Sequence, residues 1–145
     1  MNEKKLRVYV ASSWRNVHQP WVVDVLRRIG LDVYDFRRPT AHESGFSWAE
    51  VDPQWESWSV DAYRAALGHP IAVKGYDHDI AALRACDACV LVLPSGRSAS
   101  WEFGYAMGQG KRGVVFMPQA CEPELMYREA AIISSIDELR KAFGA

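Results

Sequence analysis

The stretch Ala88-Cys89-Val90-Leu91-Val92-Leu93-Pro94, ACVLVLP, is an unbroken apolar run closed by a proline. A strand with one wet face alternates apolar and polar residues; a strand buried on both faces reads as a continuous run. Too short for a helix of ordinary length, ACVLVLP is a central strand of a parallel sheet covered on both sides. What flanks it must then alternate between strands and helices.

Working outward, the chain does so. Downstream, a helix begins near Ser98 with Phe103, Ala106 and Met107 as its apolar stripe. GVVFM, Gly113 to Met117, reads as a fourth strand, Glu122 to Arg128 as a helix, and AIIS, Ala131 to Ser134, as a fifth strand. A closing helix runs from Ser135 to Phe143, opened by the capping pattern Ser135-Ile136-Asp137-Glu138. Upstream, Tyr76 to Ala85 reads as a helix with Ile80 and Leu83 inward, and Asp61 to Leu67 as a shorter one stopped by Gly68-His69-Pro70. LRVYVA, Leu6 to Ala11, and LDVYDF, Leu31 to Phe36, are the first two strands. Between them Trp21, Val22, Val25, Leu26 and Ile29 recur at helical spacing before Gly30.

Strands alternating with helices imply right-handed crossovers and a doubly wound α/β sheet. The expectation is a flavodoxin- or Rossmann-like, three-layered fold on a five-stranded parallel sheet of order 2-1-3-4-5. Residues 1–145 are read as a single domain, with a tryptophan-rich loop at about 37–60 that has prolines at 39 and 53 and no period. Ligands bind such sheets at the carboxyl ends of the strands, which brings ASSWRN, the tryptophan loop and PSGRSASWE to one edge.

Composition narrows the function. A formal net charge of −1 over 145 residues leaves no electrostatic footprint for nucleic acid or an anionic membrane. The N-terminus has no apolar leader and no run reaches membrane-spanning length. Three cysteines, an odd number, argue for a reducing, cytoplasmic setting rather than a disulfide framework. Cys86 and Cys89 match C-x-x-C, but at the end of a helix, where the dipole does not favour thiolate, so they read as core residues. His69, His78 and Cys121 lack zinc-site spacing, and no metal or cofactor is required. Gly104, Gly108 and Gly110 lie in or beyond a helix, not in the strand-to-helix turn of a dinucleotide fingerprint; Gly104 and Gly108 instead suggest a helix packed close to the sheet. Of six tryptophans, Trp48, Trp55 and Trp58 fall within eleven residues, as core or as a stacking wall for a flat ligand.

Two acids stand out. Asp79 sits beside the core-facing stripe of its helix, an uncommon place for an acid. Glu102 would be the fourth helical residue after a Ser98 cap, or the second after Ser100. A helix start favours the anion, the state a carboxylate nucleophile needs, so Glu102 reads equally as a dipole acid or a nucleophile.

VYVASSW (Val8 to Trp14), YDHDIAAL (Tyr76 to Leu83) and WEFGYAMGQGK (Trp101 to Lys111), with ELMY (Glu124 to Tyr127) as a weaker fourth segment, resemble in order and spacing the nucleoside 2-deoxyribosyltransferase family and its relatives, the nucleotide N-glycoside hydrolases. The resemblance implies Glu102 as the nucleophile at the anomeric carbon, Asp79 as the acid that contacts the sugar and handles the base's proton, and Tyr9 as the hydroxyl that positions the nucleophile. It implies substrate contacts from Ser12, Ser13 and Trp14, from Ser95, Gly96, Arg97 and Ser98, and from Glu124 and Met126, with Trp48 the candidate from the tryptophan loop. Gly96 departs from the transferases, which carry an acid there, and from the nucleotide hydrolases, which tend to carry a serine; Arg97 with its neighbouring serines would suit a phosphate. Relatives build their sites across subunits, which implies a homo-oligomer, a dimer or larger.

The functional expectation is cleavage of the N-glycosidic bond of a nucleoside or nucleoside 5′-monophosphate, by hydrolysis or transfer, through a covalent glycosyl-enzyme. Arg97 leans it toward the nucleotide. Two alternatives stand beside it: a TIR-like NAD glycohydrolase, which SASWE resembles, and a non-catalytic nucleotide-binding module, for which Gly96 speaks.

Overall fold

A computed structural model describes residues 4–144; Met1 to Glu3 and Ala145, at the ends of the expected domain, lie outside the described residues. Five strands, β1 (Arg7–Ala11), β2 (Asp32–Asp35), β3 (Ala88–Val92), β4 (Arg112–Phe116) and β5 (Ala131–Ile133), form one all-parallel sheet of order β2-β1-β3-β4-β5. The helices are α1 (Gln19–Arg28), α2 (Val60–Ala66), α3 (Pro70–Ala85), α4 (Arg97–Gly108) and α5 (Ile136–Ala142). This is the doubly wound α/β arrangement expected from the sequence, with ACVLV buried along its whole length.

Side chains alternate across the sheet because successive strand residues point to opposite faces. Val8 and Val10 of β1, Val90 and Val92 of β3, and Val114 and Phe116 of β4 meet Val22 and Leu26 of α1 and Leu139 of α5. One residue along, Tyr9, Cys89, Leu91 and Val115 meet Ile80 and Leu83 of α3 and Ala99, Phe103 and Ala106 of α4. Each fully buried aliphatic side chain contributes about 1.5–3 kcal/mol.

Four local readings are corrected. Gly68-His69-Pro70 stops α2 and also starts α3: the His69 Nδ1 accepts from Ile71 N at 3.1 Å, and Pro70 takes the first helical position, where its missing N–H costs nothing. The helix therefore begins six residues before Tyr76. Helix α4 is capped by Gly96, not by a serine, so Glu102 stands in its second turn, where the pull of the helix start has faded. Gly104 and Gly108 are exposed, and a Cβ on either would meet nothing within 4 Å; the close helix–sheet approach lies at Gly113 of β4, against Met107 and Phe103. The segment from Glu122 to Arg128 forms only a 3-10 turn, Leu125–Glu129, preceded by irregular chain.

The remaining cap is as expected: Ser135 Oγ accepts from Glu138 N at 3.2 Å, while the Glu138 carboxylate accepts from Ser134. Cys86 and Cys89 are both buried. Among the described residues no helix is long and apolar enough to cross a membrane.

Candidate active site

Tyr9 and Tyr34 are paired in register on β1 and β2 and point to the α3/α4 side of the sheet. Their rings stack at 5.1 Å with an interplanar angle of 22°. The Tyr34 hydroxyl donates to Asp79 Oδ1 of α3 at 2.6 Å. The Tyr9 hydroxyl is wholly buried and makes no hydrogen bond of full geometry. It is nonetheless close enough to Glu102 of α4 to act on that carboxyl as a donor. Two stacked phenols thus lie beneath two carboxyls, one from each covering helix.

Burial dominates the electrostatics. It pushes Glu102 up to about 7; the Tyr9 hydroxyl opposes the rise, and the neighbouring Asp79 charge adds to it. Burial raises Asp79 as well, against the pull of the Tyr34 hydrogen bond and of His78. Both phenols are driven far above the ordinary tyrosine range, by burial first and by the carboxyls second, so they remain donors at any working pH. Glu102 is therefore not held ionised by a helix start, as the sequence suggested. Its proton is poised near neutrality because water is kept away.

Both carboxyls open onto one cavity of about 570 Å³ between α2, α3, α4 and the tryptophan loop. Its walls include Phe46, Trp48, Tyr63, Tyr76 and Trp101. A second cavity of about 460 Å³ lies across Phe46, Gly75 and Asp79, with His42, Glu43, Lys74 and His78 on its lining.

Residues 37–59 have no hydrophobic period: two short 3-10 turns, Trp48–Glu50 and Trp55–Ser57, and contacts within the loop and to α3 hold them. Glu43 pairs with Lys74 at 2.7 Å and lies 3.1 Å from His78 Nε2, both on α3. Phe46 lies on Gly75 of the same helix, where a Cβ would come within 2.9–3.1 Å of its side chain. Glycine is poor in a helix interior by about 1 kcal/mol; here it admits the loop. Trp48 then meets Phe46 at 4.7 Å, Trp58 at 5.5 Å and Tyr63 at 6.0 Å between ring centroids, all edge-on. Trp58 is fixed by its Nε1 donating to Asp52 at 2.8 Å, and Trp55 is exposed.

Of the residues singled out from the sequence, Tyr9, Asp79 and Glu102 come together, and Trp48 and Ser98 line the same cavity as the two acids. Ser12, Ser13 and Trp14 do not line it. The Ser12 hydroxyl donates to Val92 O at 2.9 Å, the Ser13 hydroxyl accepts from Arg15 N at 3.2 Å, and Trp14 packs edge-on against Phe36. Arg37 ties that loop down by donating to the carbonyls of Ser13, Trp14 and Asn16. Ser95, Gly96 and Arg97 form the turn into α4 and are also off the lining, as are Glu124 and Met126 at the exposed 3-10 turn. Sequence reasoning missed Tyr34, Phe46, Tyr63, Tyr76 and Trp101. Tyr34 was open to discovery, since it stands in β2 directly beside Tyr9 in β1 once the sheet order is set.

No family model matches this chain, and no curated protein matches it. Among solved structures the fold is similar to that of a 2-deoxyribosyltransferase from the psychrotolerant bacterium Bacillus psychrosaccharolyticus, described as a biocatalyst for the synthesis of antiviral and antitumoral nucleosides. The identity is 18%, the match covers 92% of this chain and 89% of that one, and the TM-score is 0.61. What the two share at that identity is the fold.

Proposed function

We propose that the protein cleaves the N-glycosidic bond of a nucleoside through a covalent glycosyl-enzyme on Glu102. The observation that carries this reading is the pair of buried carboxyls, Asp79 and Glu102, opening onto one aromatic-walled cavity above the stacked Tyr9 and Tyr34. The fold shared with a 2-deoxyribosyltransferase supports the same chemistry.

Retaining glycosidic chemistry needs one carboxylate to attack and a second group to manage the proton of the leaving group. Ionised Glu102 forms a bond from its oxygen to the anomeric carbon while the bond from that carbon to the base nitrogen breaks. The bonding pair leaves on the base, which takes a proton from Asp79. Burial raises the proton affinity of Asp79, the direction a donor to the base needs, as it does that of Glu102. Water, or a second base, then attacks the sugar ester, returns its proton to Asp79 and frees Glu102. The Tyr9 hydroxyl orients the Glu102 carboxyl, and the low-dielectric site strengthens the attraction between carboxylate and cation-like transition state.

The test is base release from ribo- and deoxynucleosides, their 5′-monophosphates and NAD by the parent and by Glu102→Gln, followed by chromatography. The expected result is release by the parent and a loss of about 10³-fold or more in the variant, the scale of removing a nucleophile or its partner. Equal release by the variant, or none by the parent, would sink the assignment. Release from NAD alone would move the protein to the NAD glycohydrolases.

A further inference from the structure

We infer that the ligand of this cavity is an uncharged nucleoside whose base carries a bulky apolar group, rather than a nucleoside 5′-phosphate. The inference rests on the glycosidase reading above and names the substrate class of the same site.

The lining carries it. Away from Asp79 and Glu102 the walls are mostly apolar, with Phe46, Trp48, Tyr63, Tyr76, Trp101 and Leu67 prominent, one hydroxyl from Ser98, and no lysine, arginine or histidine among the described lining residues. Several of these stand open: Trp101 is 59% exposed, Tyr76 56%, Leu67 49% and Tyr63 47%. Contiguous apolar surface of this kind is costly in water unless something covers it. A nucleobase stacks on such rings whatever its hydrogen-bonding edge, and an apolar substituent on the base would cover the remainder.

The basic side chains of the neighbourhood lie on other surfaces. Lys74 pairs with Glu43, His78 lies 3.1 Å from it, and both line the other cavity. Arg84 donates to the Tyr105 hydroxyl, Arg64 pairs with Asp61, and one Nη of Arg37 donates to three carbonyls. Arg97 is exposed and off the lining. A phosphate dianion here would face two carboxyls with no lysine, arginine or histidine among the described lining residues to offset it, and like charges at short range repel.

A matched series tests the inference: 2′-deoxyuridine, its 5-methyl and 5-phenyl derivatives, and the 5′-monophosphate of each. The parent's kcat/KM is expected to rise along the neutral series, by roughly tenfold or more from unsubstituted to phenyl, and to fall on 5′-phosphorylation. In Trp101→Ala and Tyr63→Ser the phenyl-over-unsubstituted ratio should shrink about tenfold. A flat series, a preference for the phosphates, or an unchanged ratio with an altered oligomeric state, which would make the aromatic wall an interface between copies, overturns the inference and leaves the glycosidase reading standing. If nothing in the series is cleaved, that reading falls, and calorimetric binding of the same compounds decides the inference alone. Tighter binding of the phenyl nucleoside upholds it, and equal or absent binding ends it.

Discussion

On the α1/α5 side of the sheet, Val8, Val10, Val90, Val92 and Val114 pack against Leu26 and Leu139; on the α3/α4 side, one residue along β1, a tyrosine is buried instead, and two helices bring carboxyls to it. The same strands build both faces. The first gains free energy from every atom it hides. The second hides groups that prefer water, and the cost appears as raised proton affinities on Asp79 and Glu102. Both faces bury apolar side chains, but only the α3/α4 side also encloses two carboxyls and two phenols, and the aliphatic packing on both sides offsets that cost.

The largest effect should come from breaking the quiet face. Leu26 is fully buried, so Leu26→Ala removes its packing and leaves a cavity, a loss of about 2–5 kcal/mol in chemical denaturation. Base release per folded molecule, and its pH profile, should be unchanged, because the substitution lies across the sheet from both carboxyls. An altered pH profile would mean that the faces are coupled.

The next effect is a pH dependence belonging to the face that encloses the two carboxyls. Glu102 has an ordinary value of 4.5 and sits at about 7 when folded. Between those values the folded chain holds a proton that the unfolded chain has released, so stability falls as pH rises, by on the order of 3 kcal/mol, and stays lower above pH 7. Asp79 adds to this with the same sign. Denaturation midpoints across that window should decline in the parent and flatten in Glu102→Gln, while Leu26→Ala lowers the whole curve without changing its slope. Base release should climb through about pH 7 as Glu102 ionises, so activity and stability run in opposite directions. A flat parent curve would show Glu102 to be better solvated than its burial implies.

These contrasts were unequally legible in the sequence. ACVLVLP gave the sheet its centre, and alternation of strand and helix gave the winding, because both follow from local pattern. Glu102 and Asp79 could be singled out as acids in odd places, but the state of Glu102 was misjudged: its helix starts at Gly96 rather than at a serine, and desolvation by α3, α4 and the sheet is invisible to a local reading. The start of α3 was legible in His69-Pro70, yet the same residues also read as a stop. The tryptophan loop was beyond reach, since Glu43 finds its partners on α3 and Phe46 finds Gly75, contacts that no period in residues 37–59 announces.

The smallest effect sharpens the comparison most, because it separates a polar face that is reactive from one that is merely polar. Tyr34→Phe keeps the ring stacked on Tyr9 and removes only the hydroxyl that donates to Asp79 at 2.6 Å. Loss of one such bond should cost about 1 kcal/mol, close to what a structural tyrosine would show. That hydroxyl also holds down the proton affinity of Asp79, so its removal must raise it further. If Asp79 supplies the proton to the departing base, the alkaline limb of the kcat/KM profile moves to higher pH in Tyr34→Phe, while the limb set by Glu102 moves little. A stability loss with both limbs in place would make Asp79 a structural acid; the proton would then have to reach the base from elsewhere, and the two faces would differ in polarity without dividing stability from chemistry.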